Sequence, residues 1–173
     1  IENRTGAPLP EMHMRWNDEL EMKTLTVQGA RMVREWPEFD YRIYRFDTPM
    51  AVGERRTVTF DTVLAQRGFK DSGNTTRIVD NGTFVGNAEF APQIGMDRSG
   101  VLRDRTKRRK YGLPAELRPA KLEDMSATGR NYIGADWVTT DVTVTTDADQ
   151  TPLAPGQVRS DTTANGRRTM RFV

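Results

Sequence analysis

Five stretches of the chain alternate apolar and polar residues with a period of two. This is the spacing of a strand that buries one face and solvates the other. In the first stretch Met12, Met14 and Trp16 share one side, and Glu11, His13 and Arg15 the other. Leu25 and Val27 alternate with Thr24 and Thr26. Phe39, Tyr41 and Ile43 alternate with Asp40, Arg42 and Tyr44, and Val58, Phe60, Thr62 and Leu64 with Thr57, Thr59 and Asp61. Near the end Val138, Thr140, Val142 and Val144 oppose Trp137, Thr139, Asp141 and Thr143. Thr occurs 21 times and Val 13 times, and such β-branched side chains fit a pleated, half-buried surface better than a helix.

Turn residues sit between these runs. Thr5-Gly6-Ala7-Pro8 and Pro49-Met50-Ala51-Val52-Gly53 are expected turns. Asn81-Gly82 lies between Ile78-Val79 and Thr83-Phe84, and Asn165-Gly166 lies between Val158 and Met170-Phe172. Asn-Gly tolerates positive φ at both central positions, so each pair predicts a hairpin. Short strands with regular turn signals predict an all-β chain, an antiparallel β-sandwich or a saddle-shaped sheet. At 173 residues the chain is read as a single β-domain over residues 1–173, long enough to bury a core without a metal or disulfide. It opens Ile1-Glu2-Asn3-Arg4 with no initiator Met and ends on a strand-like run through Val173, so it is expected to be a piece of a larger protein.

A long excursion at about 86–135 breaks the alternation. Between Arg98 and Lys121 lie nine positive residues and two negative ones, a local charge of +7 in a chain of net +2. The remainder therefore carries −5. Ser99 is a candidate cap for a short basic helix running through Val101, Leu102 and Tyr111 and stopped by Gly112 and Pro114, with a second short helix around 115–117. Arg103, Arg105, Lys107, Arg108, Arg109 and Lys110 form a candidate site for an anionic surface. Only Tyr111 supplies an aromatic there, which argues against a single-stranded nucleic acid groove, and the near-neutral total argues against nucleic acid as a partner of the whole chain.

The chain has no cysteine and one histidine, His13. Disulfide scaffolds, thiolate zinc sites and cysteine nucleophiles are excluded, and a His-Glu-x-x-His zinc helix cannot form within it. No apolar run approaches the ~18 residues of a membrane helix. His13 is expected as an exposed strand residue. Trp16, Trp36 and Trp137 are expected as core anchors. Glu89, Asp97, Asp104, Glu123 and Asp124 put carboxylates around the excursion, but the sequence brings no two of them together. Asn3-Arg4-Thr5, Asn74-Thr75-Thr76 and Asn81-Gly82-Thr83 match the glycosylation acceptor pattern, which arises readily by chance in a Thr-rich chain.

The order of the segments is familiar. Asn3-Arg4-Thr5-Gly6-Ala7-Pro8-Leu9 leads into Met12-His13-Met14, followed by Leu25-Thr26-Val27, Tyr41-Arg42-Ile43-Tyr44 and Pro49-Met50-Ala51-Val52-Gly53-Glu54. After the excursion, the run Asp136–Val144 precedes Leu153-Ala154-Pro155-Gly156. Over nearly its whole length the chain resembles the N-terminal β-domain of the aminopeptidase-N-like zinc metallopeptidases. It is most similar to the bacterial branch attached to an ABC-type permease-like membrane portion.

The resemblance implies a non-catalytic domain beside a downstream metallopeptidase domain of the same chain, which frames the substrate entrance. It implies zinc in the parent and no cofactor in this fragment, a peptide substrate, and a membrane-associated parent in the bacterial cell envelope. It also implies that the stretch from Glu89 to Asp97 faces the substrate N-terminus, with Gln93 as the polar contact and Glu89 second. A free-standing β-sandwich module that binds anionic lipid or glycan is the alternative.

Overall fold

The structure, a computed structural model, describes residues 1–65, 78–79, 82–95, 101–115, 121, 123–125 and 138–173. The fold is all-β and antiparallel, with several sheets, none closed into a barrel among the described residues. The chain divides into two compact units, Ile1–Gly129 and Arg130–Val173.

In the first unit β1 (Leu9–Arg15) is central. It pairs with β4 (Tyr41–Met50) on one side and with the two-residue β8 (Gln93–Ile94) on the other. β3 (Ala30–Trp36) adds to the far side of β4, giving the order β3-β4-β1-β8. A separate pair joins β2 (Leu20–Val27) to β5 (Val58–Leu64). Met12, Met14, Tyr44, Phe46 and Met50 from the first sheet form one buried cluster with Trp16, Leu20, Leu25 and Val27, so the two sheets pack face to face through it. The Tyr44 hydroxyl donates to the Leu25 carbonyl oxygen at 2.9 Å, which satisfies a buried phenol inside that core.

The β1 and β2 alternations predict the buried faces correctly. In β4 the buried phase is the opposite of the expected one. Tyr44 and Phe46 point into the core, Ile43 is half-buried on the other side, and Phe39 is exposed in a short 3-10 turn over Pro37–Phe39. The reason is register. Met12 lies directly opposite Tyr44, directly opposed residues share a face, and the Met12/Met14 side of β1 is the buried one. Trp16 is a core anchor, whereas Trp36 is half-buried, opposite Tyr41 on the outward face. Trp137 lies outside the described residues.

The first unit's turns depart by a few residues from expectation. β4 runs through Met50, and the turn follows it. Glu54 N donates to Ala51 O at 3.0 Å, Ala51 N donates to Glu54 Oε2 at 2.8 Å, and Gly53 takes φ 77°. β6 (Ile78–Val79) pairs with β7 (Gly82–Thr83) as the expected hairpin, but Val79 opposes Gly82. Gly82 is thus a strand residue, and Asn81 lies outside the described residues.

The second unit holds β9 (Val142–Asp147), β10 (Val158–Ala164) and β11 (Arg167–Phe172) in the order β10-β11-β9. Asn165-Gly166 closes β10 onto β11 with φ 52° and 73°, the all-positive geometry that Asn-Gly favours. Met170 and Phe172 are buried, and Val142 and Val144 alternate with exposed Thr143 and Thr145 as predicted. Arg171, on the face of Thr143, forks onto both oxygens of Asp141, whereas Arg168, on the face of Met170, forks onto both of Asp161.

Candidate functional site

Gln93 is carried by β8, the edge strand next to β1. It lies opposite Arg15, and Arg15 lies opposite Tyr41, which in turn faces Trp36. The four side chains thus form a row across the outward face of the four-stranded sheet. The next row is Arg34, Ile43 and His13. Gly95 N donates to His13 O at 2.9 Å and extends the pairing that fixes β8. Gln93 is half-buried, and among the described residues its side-chain amide has no hydrogen-bond partner.

The aromatic members of this face touch. Tyr41 packs edge-on to Trp36 with centroids 5.6 Å apart, and edge-on to His13 at 5.8 Å. His13 Nδ1 lies 2.5 Å from the Tyr41 hydroxyl oxygen, and the Arg34 guanidinium sits 4.9 Å from the Trp36 ring centroid. His13 is therefore a half-buried, hydrogen-bonded group rather than a solvated strand residue. Burial pushes the Tyr41 phenol above its ordinary range. This keeps it protonated and able to donate to the imidazole. Sequence reading of single strands missed the alignment of Tyr41 and Trp36 with Arg15 and Gln93, because only the register across four strands puts them in one row.

Glu89 is placed differently. It sits in α1 (Asn87–Phe90), where Glu89 N donates to Gly86 O at 2.9 Å and Gly86 N donates to Glu89 Oε2 at 2.5 Å. This reciprocal cap satisfies amides at the helix start. Thr62 Oγ1 donates to Phe90 O at 2.7 Å and ties α1 to β5. The Glu89 carboxylate is thus engaged in holding the turn that leads into Gln93.

The basic segment forms α2 (Arg105–Lys110), capped by Asp104, whose Oδ1 accepts from Lys107 N at 2.7 Å. The expected cap Ser99 lies outside the described residues, as does most of the expected second helix at 115–117. Val101 and Leu102 precede α2. At its end Gly112 takes φ 67°. Gly112 N donates to Arg109 O and Leu113 N to Arg108 O, the paired bonds of a Schellman stop.

Arg103, Arg105, Lys107, Arg109 and Lys110 are exposed, and Arg108 is buried at 5% exposure. Its Nη1 donates to Leu102 O at 2.8 Å and its Nε to Pro114 O at 2.5 Å. Arg108 is therefore a clamp across its own segment and not part of the exposed basic surface.

Of the carboxylates around the excursion, Glu89 and Asp104 each serve a helix start, and Asp97 lies outside the described residues. Among the described residues no three His, Asp or Glu side chains gather to hold a metal ion, and no helix is long and apolar enough to cross a membrane. The outward face carries an amide on β8 opposite Arg15, with the Tyr41 and Trp36 rings two and three strands away in the same row. No family model, curated protein or solved structure matches the chain.

Proposed function

We propose that the chain is a non-catalytic β-domain of an aminopeptidase-N-like metallopeptidase, framing the entrance to a zinc site held by a neighbouring domain of the parent. The observation that carries this reading is Gln93. Its backbone is fixed by pairing with β1, its position is a sheet edge, and its amide is unengaged among the described residues. Such an amide oxygen accepts a charge-assisted hydrogen bond from a peptide α-ammonium and positions the N-terminal residue for attack at its carbonyl. The cap built by Glu89 presets the approach to that edge.

With a single His and no Cys, this chain cannot form a His-Glu-x-x-His zinc helix, so the metal belongs to the neighbour in this reading. Bound there, zinc would supply an activated water and polarise the scissile carbonyl.

The test is zinc content and aminopeptidase kinetics of the full parent protein, with and without Gln93→Ala. A hydrogen bond to a charged group contributes about 1.5–3 kcal/mol, so kcat/KM should fall roughly 10- to 150-fold. Gln93→Glu should keep or strengthen the contact. A parent without zinc or aminopeptidase activity would overturn the reading. So would unchanged kinetics together with a lowered melting temperature, which would make Gln93 a structural edge residue.

A further inference from the structure

We propose that the segment 101–115 is a preformed contact site for a membrane surface rich in anionic lipid. It carries six cations and one acid. The acid, Asp104, is consumed as the cap of α2. Five of the cations are exposed, and among the described residues none pairs with the side chains of Arg103, Lys107, Arg109 or Lys110. Four such cations at this density repel one another and gain from an anionic partner.

The segment is also held ready. Arg108 ties the carbonyl before α2 to the one after it, Asp104 caps the start, and the Schellman bonds close the end. Little ordering cost then remains for docking.

Three features favour a lipid surface over other polyanions. At about 100° per residue the cations of α2 spread over an arc of about 200° on the side away from Arg108. That spread suits mobile headgroups better than the fixed phosphate spacing of a duplex. Tyr111 and Leu113 stand at the end of the cluster, 66% and 43% exposed. An exposed Tyr and Leu beside Lys and Arg match the layering of a bilayer interface, with the ring at headgroup level and the alkyl group below it. The single aromatic gives no stacking ladder for bases. The site does not depend on Gln93 or on a zinc neighbour.

The test is co-sedimentation of the 173-residue chain with vesicles of phosphatidylcholine alone and of phosphatidylcholine mixed with phosphatidylglycerol. Retention is expected only on the mixed vesicles, falling as salt rises past about 0.1 M. Lys107→Gln with Lys110→Gln should lower partitioning about 25-fold, at about fivefold per cation. Gln keeps helix propensity, so melting should not change. Lys23→Gln with Arg31→Gln, which removes the same charge from the sheets, should leave retention intact. Equal retention on phosphatidylcholine alone, no retention on mixed vesicles, or no effect of the Lys107/Lys110 pair overturns the proposal. Release of the bound chain by RNA at matched phosphate concentration also overturns it, by identifying a nucleic-acid site.

Discussion

Asn3 and Met50, 47 residues apart, are joined by a buried hydrogen bond in which Asn3 Nδ2 donates to the Met50 carbonyl oxygen at 2.8 Å. The same amide donates to Ala7 O, and Asn3 Oδ1 accepts from Thr5 N and Thr5 Oγ1. Asn3 N also donates to Glu54 O, and Gly53 N to Asn3 O. One side chain thus shapes the N-terminal turn and locks it to the turn after β4. At 1% exposure Asn3 is also closed to glycosylation in the folded state.

Asn3→Leu should therefore leave the Met50 carbonyl unsatisfied in the interior. Burying an orphaned polar group costs about 1–3 kcal/mol. The first unit should lose roughly that much stability in urea, and Asn3→Asp at neutral pH should lose more, because it removes the donor and buries a charge. The check is unfolding followed by tryptophan fluorescence. A loss below about 0.5 kcal/mol for both variants would show that the turn holds without this network.

The second unit depends on a different kind of residue. Gly156 takes φ 112°, and a Cβ there would meet the Val173 backbone at 3.0 Å, where Gln157 and Val173 exchange hydrogen bonds. Gly166 has φ 73° but open space around it. Gly166→Ala should cost only the left-handed penalty of about 1–2 kcal/mol. Gly156→Ala should cost more, because backbone must also move. Hydrogen exchange at the Val173 and Phe172 amides should rise further in the Gly156 variant, and the reverse order would refute the argument.

Acid should weaken the same unit. Asp161 and Asp141 have pKa values held below the ordinary 3.8, chiefly by hydrogen bonds from Arg168 and Arg171 respectively. A carboxylate with a depressed folded pKa stabilises above its unfolded pKa, and that contribution is lost as pH falls through the folded value. Stability of the second unit should thus be flat above about pH 5 and decline from about pH 4 downward. Both pairs are solvent-exposed, so the decline should be shallow. Asp161→Asn should flatten it further. In the first unit Asp40 behaves oppositely, since burial raises its pKa, and protonation there relieves a cost. Carboxyl chemical shifts recorded against pH would separate the two. An Asp161 midpoint at or above 3.8 would contradict the ion pair.

The sequence revealed what is decided locally and hid what is decided across strands. Asn165-Gly166 is a hairpin because two adjacent residues tolerate positive φ, and Gly112 stops α2 for a similarly local reason. The buried face of β4 depends on the Met12–Tyr44 pairing, 32 residues apart, and Tyr44 carries a hydroxyl that masks it as a core residue until Leu25 O is placed beside it. The row through Trp36, Tyr41, Arg15 and Gln93 needs three registers at once. Arg108 was indistinguishable within Lys107-Arg108-Arg109-Lys110, because nothing in a charge run marks which guanidinium turns inward.

Arg108 gives the clearest separation of structure from charge. Its planar fork reaches Leu102 O from Nη1 and Pro114 O from Nε, carbonyls six residues to either side. Lysine carries the same charge but a single ammonium on a flexible stem, and it does not reproduce a two-pronged contact. Arg108→Lys should leave the net charge at +2 and leave the five exposed cations in place. It should nevertheless release one carbonyl and fray α2, at a cost of about 1–3 kcal/mol for a lost charge-assisted bond. Amide exchange at Lys110, Tyr111 and Gly112 should quicken about 5- to 150-fold in that variant, because local opening follows the lost free energy. In Lys107→Gln it should be unchanged. Equal protection in both variants would show that the segment holds its shape without the clamp.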